Sequence, residues 1–159
     1  AGVLAYLQFF YSPLTGELEF FGVDQRHESD IEGLGRIPSE QQLKSKKVPS
    51  FNVIGNSPLV LRESLLDEVY TMGENFVEAA KRIVSPGMNG PFCIEGVYDE
   101  NAKFTSFEFS ARIVAGTNIY MDGSPYYSLL FNESMSMGKR IAREIKIAEE
   151  KNEIEKIVT

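Results

Sequence analysis

The feature that most narrows the fold is a pair of β-forming runs at the start of the chain. From Val3 to Tyr11, and again from Leu18 to Val23, aliphatic and aromatic residues dominate. The segment between them, Ser12-Pro13-Leu14-Thr15-Gly16, is rich in turn-forming residues, so the two runs predict a hairpin or meander. The 159 residues, 43% of them hydrophobic, suffice for one compact domain with a sizeable core and leave no room for a second.

Residues 24–50 hold charges, glycines and two prolines with little apolar periodicity, and they read as a long loop of the functional or disordered kind. Phe51–Ile54 predicts a short strand, punctuated by Gly55-Asn56-Ser57-Pro58. A helix then opens at Arg62-Glu63-Ser64 and runs to about Val84, because Leu65, Val69, Met72, Phe76, Ala79, Ala80 and Ile83 repeat at the spacing of one buried face. Ser85-Pro86-Gly87 ends it. Phe92–Tyr98 and Phe104–Val114 form a second hairpin around Asp99-Glu100-Asn101-Ala102. Gly116-Thr117-Asn118 and Asp122-Gly123-Ser124-Pro125 mark loops that turn tightly or approach something closely. A last helix is expected over Ser136–Ile157, with Ile141, Ile145, Ala148 and Ile154 inward and its Lys, Arg and Glu residues outward. The fold class is therefore α+β: an antiparallel sheet with helices packed on one side.

Charge and composition exclude several function classes. With 16 Lys+Arg against 23 Asp+Glu the formal net charge is −7, which argues against a nucleic-acid module held by basic patches. No stretch approaches the roughly 20 apolar residues of a membrane span. The single cysteine, Cys93, permits no internal disulfide and agrees with a reducing compartment, with cytoplasm as the default. Neither a glycine-rich Walker loop nor a GxGxxG turn occurs.

The second hairpin carries the sharpest chemical signal. Residues two apart on a strand share a face, so Glu108, Ser110 and Arg112 lie on one side and Phe107, Phe109 and Ala111 on the other. A turn centred between Asn101 and Ala102 places Glu95 directly opposite Glu108. Opposed like charges destabilise a sheet, and a bound divalent cation supplies a reason for them; Mg²⁺ suits one or two carboxylates completed by waters and phosphates. Arg112 then offers a fork to a phosphate. Periodicity alone leaves open the alternative of a solvated hairpin face. His27 reads as a solvated or hydrogen-bonded residue ahead of an acid-base group, Glu28 as a carboxylate able to accept from a ribose diol, and Asn56 as a turn residue ahead of a ligand contact.

Glu95 followed by Glu108-Phe109-Ser110-Ala111-Arg112 resembles the metal-binding end of ATP-grasp ligases, where an acid on one strand and a Glu-x-Asn-x-Arg motif on the next hold Mg-ATP. Ser110 stands where that motif has Asn, which removes a third metal contact or hands it to water. The strings FFYSPLTGELEFFGVDQR, RESLLDEVY, PGMNGPFCIEG, FEFSARIVAGTNIYMDGSPY, SMGKRIAREI and a terminal IVT resemble the archaeal formate-dependent formaminoimidazole-carboxamide ribonucleotide synthetases, the PurP family.

The resemblance implies that residues 1–159 are the carboxy-terminal part of an ATP-grasp catalytic domain whose amino-terminal region is not in this chain. It implies an ATP- and formate-dependent carbon–nitrogen ligase that formylates aminoimidazole-carboxamide ribonucleotide (AICAR) to FAICAR in purine (IMP) biosynthesis. The route runs through formyl phosphate and yields ADP and phosphate. Carried over residue by residue, Glu95 and Glu108 become metal ligands for Mg²⁺, with Mn²⁺ as the substitute, Glu28 an ATP contact and Asn56 a contact to AICAR. Arg112 and Asn118 lie in matching motifs as catalytic candidates near the phosphates. The implied partners are ATP, formate, AICAR, further copies of the chain in a homo-oligomer, and the amino-terminal part of the same protein. These residues alone are expected to bind ATP weakly and not to turn over. The alternatives are a paralogous ATP-grasp ligase with another acceptor, from which Asn56 and the Gly123–Tyr126 loop would distinguish it, and a non-catalytic nucleotide-binding or assembly domain.

Overall fold

Strand β1 (Val3–Tyr11) lies at the centre of the sheet because it is buried on both faces: every residue from Ala5 to Tyr11 is buried, Gln8 included. A computed structural model describes residues 2–158, so Ala1 and the Thr159 of the terminal IVT string lie outside it. Strands β2 (Leu18–Glu28), β3 (Val53–Leu59), β4 (Gly90–Tyr98) and β5 (Phe104–Ser110) complete a five-stranded sheet in the order β3-β2-β1-β4-β5, with every neighbouring pair antiparallel. The expected α+β class and both expected hairpins are present.

Helices cover both faces of the sheet rather than one. Helix α3 (Leu66–Ile83) lays Val69 and Val77 on Leu7, Phe9, Phe92 and Ile94. On the opposite face Phe10 and Phe21 meet Tyr127 of α4 (Pro125–Phe131) and Met137 of α5 (Met137–Lys151). Alternation along β1 explains the division: Leu7 and Phe9 point one way, Phe10 the other, and the strand is apolar in both directions.

The long loop expected over 24–50 is largely ordered. Strand β2 continues to Glu28, and helices α1 (Ile31–Gly35) and α2 (Ser39–Ser45) follow. Strand β3 starts at Val53 and runs through Gly55-Asn56-Ser57-Pro58, which the sequence marks as a turn; pairing with β2 overrides that local preference. Pro58 is tolerated because β3 is an edge strand.

The second hairpin reaches its register by a route different from the expected one. Near the turn Tyr98 pairs with Phe104 and Gly96 with Ser106, one residue off a turn centred between Asn101 and Ala102. A bulge then inserts Phe107, and beyond it Glu95 faces Glu108. Strand β5 ends at Ser110 and not at Val114, so Arg112 leaves the sheet. The last helix turns Ala148 and Ile141 inward as expected, but Arg140 and Glu144 are buried beside them while Ile145 is exposed. No described helix is long and apolar enough to cross a membrane.

Candidate metal and nucleotide face

Pro58, Asp24, Tyr6, Glu95 and Glu108 stand abreast across all five strands, each in direct register with its neighbour. Side chains on one face of this row form a polar cluster. Glu95 is buried and Glu108 exposed, so the pair spans from the interior of the face to its rim.

Two neighbours fix the Glu95 carboxylate. The Ser110 hydroxyl donates to Oε1 at 3.1 Å, and the Arg26 guanidinium lies 3.4 Å from Oε2. Arg26 in turn stacks over the Tyr6 ring at 4.0 Å from its centroid. Burial pushes the Tyr6 phenol up to about 12; Arg26 opposes the shift, and Glu28, Glu95 and Asp24 add to it. All four charged groups therefore lie within electrostatic reach of one phenol. Cys93, beside them, is likewise pushed up by burial, with Glu95 and Asp24 adding to the shift.

Asp24 is buried and both its oxygens accept amide N–H groups. Asn56 donates to Oδ2 at 2.6 Å, and Gln8 donates to Oδ1. Burial raises the Asp24 pKa, and the two amides and Arg26 oppose the rise. The cover over Asp24 is the 3₁₀ turn Ala115–Tyr120, in which a Cβ on Gly116 would lie 2.2 Å from Asp24 Oδ1. Glycine is required there by contact, which accounts for the Gly116 of the SARIVAGTN string.

The candidate residues divide into those the fold gathers and those it sets apart. Glu28, Asn56, Glu95 and Glu108 share the polar face. Asn56 sits in a strand instead of the turn expected for it. Arg112 is exposed beyond β5 and donates to the Ile113 carbonyl at 2.8 Å, and its charge opposes the rise of the Cys93 pKa. Asn118 is exposed on the 3₁₀ turn. His27 is held between Glu32 and Ser57 at 3.0 and 2.9 Å, a hydrogen-bonded residue as expected. The Gly123–Tyr126 loop makes two structural contacts. Ser124 caps α4 by accepting from the Tyr127 N–H at 3.1 Å, and the Tyr126 hydroxyl accepts from the Leu61 N–H at 3.0 Å.

Sequence reasoning missed Gln8, Asp24, Arg26 and Tyr6. Asp24, Arg26 and Glu28 do recur at strand spacing, but the residues between them, Gln25 and His27, are polar too, so no alternation marks the segment as sheet.

Among the described residues no three His, Cys, Asp or Glu side chains converge on one point. Two carboxylates abreast, one exposed, fit a hard cation that takes one or two protein oxygens and fills its shell with water and phosphate, as Mg²⁺ does; they do not fit a cation that needs an all-protein cage.

The family model described as "Domain of unknown function (DUF1297)" matches residues 1–159. A protein of Nitrosopumilus maritimus named 5-formaminoimidazole-4-carboxamide-1-(beta)-D-ribofuranosyl 5'-monophosphate synthetase is 86% identical over 100% of this chain and 47% of its own length. A protein of the same name from Cenarchaeum symbiosum is 72% identical over 99% of this chain and 46% of its own. Among solved structures, an IMP biosynthesis protein PurP from Thermococcus kodakaraensis superposes with a TM-score of 0.83 at 38% identity, covering 100% of this chain and 50% of that one. The chain thus spans about half the length of the curated relatives it matches.

Proposed function

This chain belongs to the DUF1297 family, and from that premise we propose that it forms the carboxy-terminal, metal-holding half of an ATP-grasp ligase that formylates AICAR with formate and ATP. The observation that carries the reading is the in-register pair Glu95 and Glu108 at one end of a row that includes Asp24, on a polar face that also holds Asn56 and Glu28. The names of the relatives, synthetases of the formylated ribonucleotide, supply the substrate class.

In this reading Glu95 and Glu108 hold Mg²⁺, which when bound offsets charge on the triphosphate. Ser110 and Arg26 keep the Glu95 carboxylate oriented toward that position. Glu28 accepts from the nucleotide ribose, and Asn56 meets the acceptor ribonucleotide. Formate oxygen attacks the γ-phosphorus of ATP, releasing ADP and giving formyl phosphate. The acceptor amine then attacks the formyl carbon, phosphate leaves, and the amine proton is lost. Catalysis of this type is positioning and charge neutralisation. Arg112, exposed at the end of β5, meets phosphate oxygens from the rim, and Asn118 lies beside them. The complete protein is a homo-oligomer acting in the cytoplasm, and this half alone binds Mg-ATP weakly without turnover.

The test is ADP release by the full-length protein with Mg-ATP, AICAR and formate, omitting one component at a time. Dependence on all three is expected. ATP binding without that dependence would indicate a paralogue with another acceptor, and no ATP binding would indicate a non-catalytic domain.

A further inference from the structure

Asp24 carries no role in the chemistry above, yet it is tightly held on the face. It is 1% exposed, covered by Gly116, and accepts from two side-chain amides. A carboxylate offers acceptors to its neighbours, so the amide of Asn56 must present its NH₂ to Asp24 and turn its Oδ1 away. The one side-chain hydrogen bond of Asn56 among the described residues is this donation, and since Asn56 is half-buried its Oδ1 stays open to a ligand. Gln8 completes the device from the other side. Its NH₂ is committed to Asp24, and its Oε1 is buried with no hydrogen-bond partner. An orphaned buried acceptor is costly, and here the cost accompanies a strut that holds Asp24 in place.

We propose that Asp24 is a positioning residue that locks the Asn56 amide with Oδ1 outward, so that the site selects a ligand offering an N–H donor at that point. The proposal rests on the reading of Asn56 as the acceptor contact given above. The amine and the carboxamide NH₂ of AICAR are donors of the required kind. A ligand presenting a carboxylate or carbonyl at the same point meets a second acceptor and is rejected, because the carboxylate behind Asn56 forbids the amide from flipping.

The test is a double-mutant cycle in the full-length protein, read as formate-dependent ADP release with AICAR varied at saturating Mg-ATP. Asn56→Ala and Asp24→Leu are each expected to raise the KM for AICAR about tenfold, while the KM for Mg-ATP and kcat stay within about twofold. The double variant is expected to be no worse than either single one, because the two residues act through one contact. Asp24→Asn, which preserves shape and lets the Asn56 amide adopt both orientations, is expected to give a smaller rise of about threefold, and it decides the matter if the leucine variant does not fold. An unchanged KM for AICAR in the Asp24 variants beside a raised one in Asn56→Ala overturns the positioning role. So do fully additive effects, or a fall in kcat together with a rise in both KM values and a lowered Tm, which mark a merely structural residue. An unchanged KM in Asn56→Ala overturns instead the reading of Asn56 as the acceptor contact, and the proposal falls with it.

Discussion

Arg140 grips Glu19 through its Nε–H, shared between the two carboxylate oxygens at 2.9 and 3.0 Å, and through Nη2 at 2.8 Å, in a pair that is buried and joins α5 to β2. The same guanidinium donates to Glu144 at 2.8 Å and stacks on Phe10, while the Tyr127 hydroxyl donates to Glu19 and the Ser12 hydroxyl to Glu144. This network fastens the helical face opposite α3. Burial works against the charge on Arg140, but its bonds to Glu19 and Glu144 prevail and raise its pKa. Arg140→Ala leaves two carboxylates buried without their cation and is expected to cost about 3–5 kcal/mol, measured by denaturant unfolding of this chain. A loss under about 1 kcal/mol would show that the network is solvated in solution.

Gly116→Ala drives a methyl group into Asp24. Overpacking of this kind is expected to cost about 1–3 kcal/mol of stability. Because the displaced group holds Asn56, the full-length variant should also show a raised KM for AICAR. Wild-type stability and kinetics in Gly116→Ala would mean that the 3₁₀ turn does not press on Asp24.

The two facing glutamates should behave differently when neutralised without metal. Glu108 is exposed, so Glu108→Gln relieves a like-charge pair and should be neutral or stabilising by a fraction of a kcal/mol. Glu95 is buried against Arg26 and Ser110, so Glu95→Gln weakens a charge-assisted contact and should cost about 1–3 kcal/mol. Thermal unfolding of both variants in the presence of a chelator makes the comparison, and equal effects would contradict the geometry.

High pH should unfold the chain through its tyrosines. Burial pushes Tyr6, Tyr98 and Tyr120 from 10.0 up to about 12. Between those values the unfolded chain has released phenol protons that the folded chain still holds, so stability is full below pH 10 and is lost as pH rises toward 12. Tyr98→Phe should flatten that fall, and at neutral pH it removes a buried hydroxyl that has no partner. Stability measured against pH, alongside phenolate absorbance, checks both statements. A fall already complete below pH 10 would contradict them.

Local pattern made the frame of this fold legible. The two β-forming runs, the helical spacing from Leu65 to Ile83 and the opposition of Glu95 to Glu108 all follow from periodicity. The last came out right although the bulge at Phe107 was not foreseen, because the bulge offsets a pairing that starts one residue out of the expected register. What stayed hidden depended on distant partners. Strand β2 beyond Val23 is polar on both sides and forms because β3 pairs with it. Gly55-Asn56-Ser57-Pro58 has turn chemistry and becomes strand for the same reason. Arg140 and Glu144 look like the solvated side of a helix until Glu19, far away in the sequence, is known to face them. The polar row is a property of five strands in register, and no single segment displays it.

Under the proposed function Glu95 and Glu108 hold the cation that accompanies ATP. This assignment is tested most directly by titrating Mg²⁺ against formate-dependent ADP release in the full-length protein and its Glu95→Gln and Glu108→Gln variants. Each variant is expected to keep its fold by circular dichroism and to lose metal-dependent turnover. Unchanged turnover at saturating Mg²⁺ in either variant would contradict the assignment.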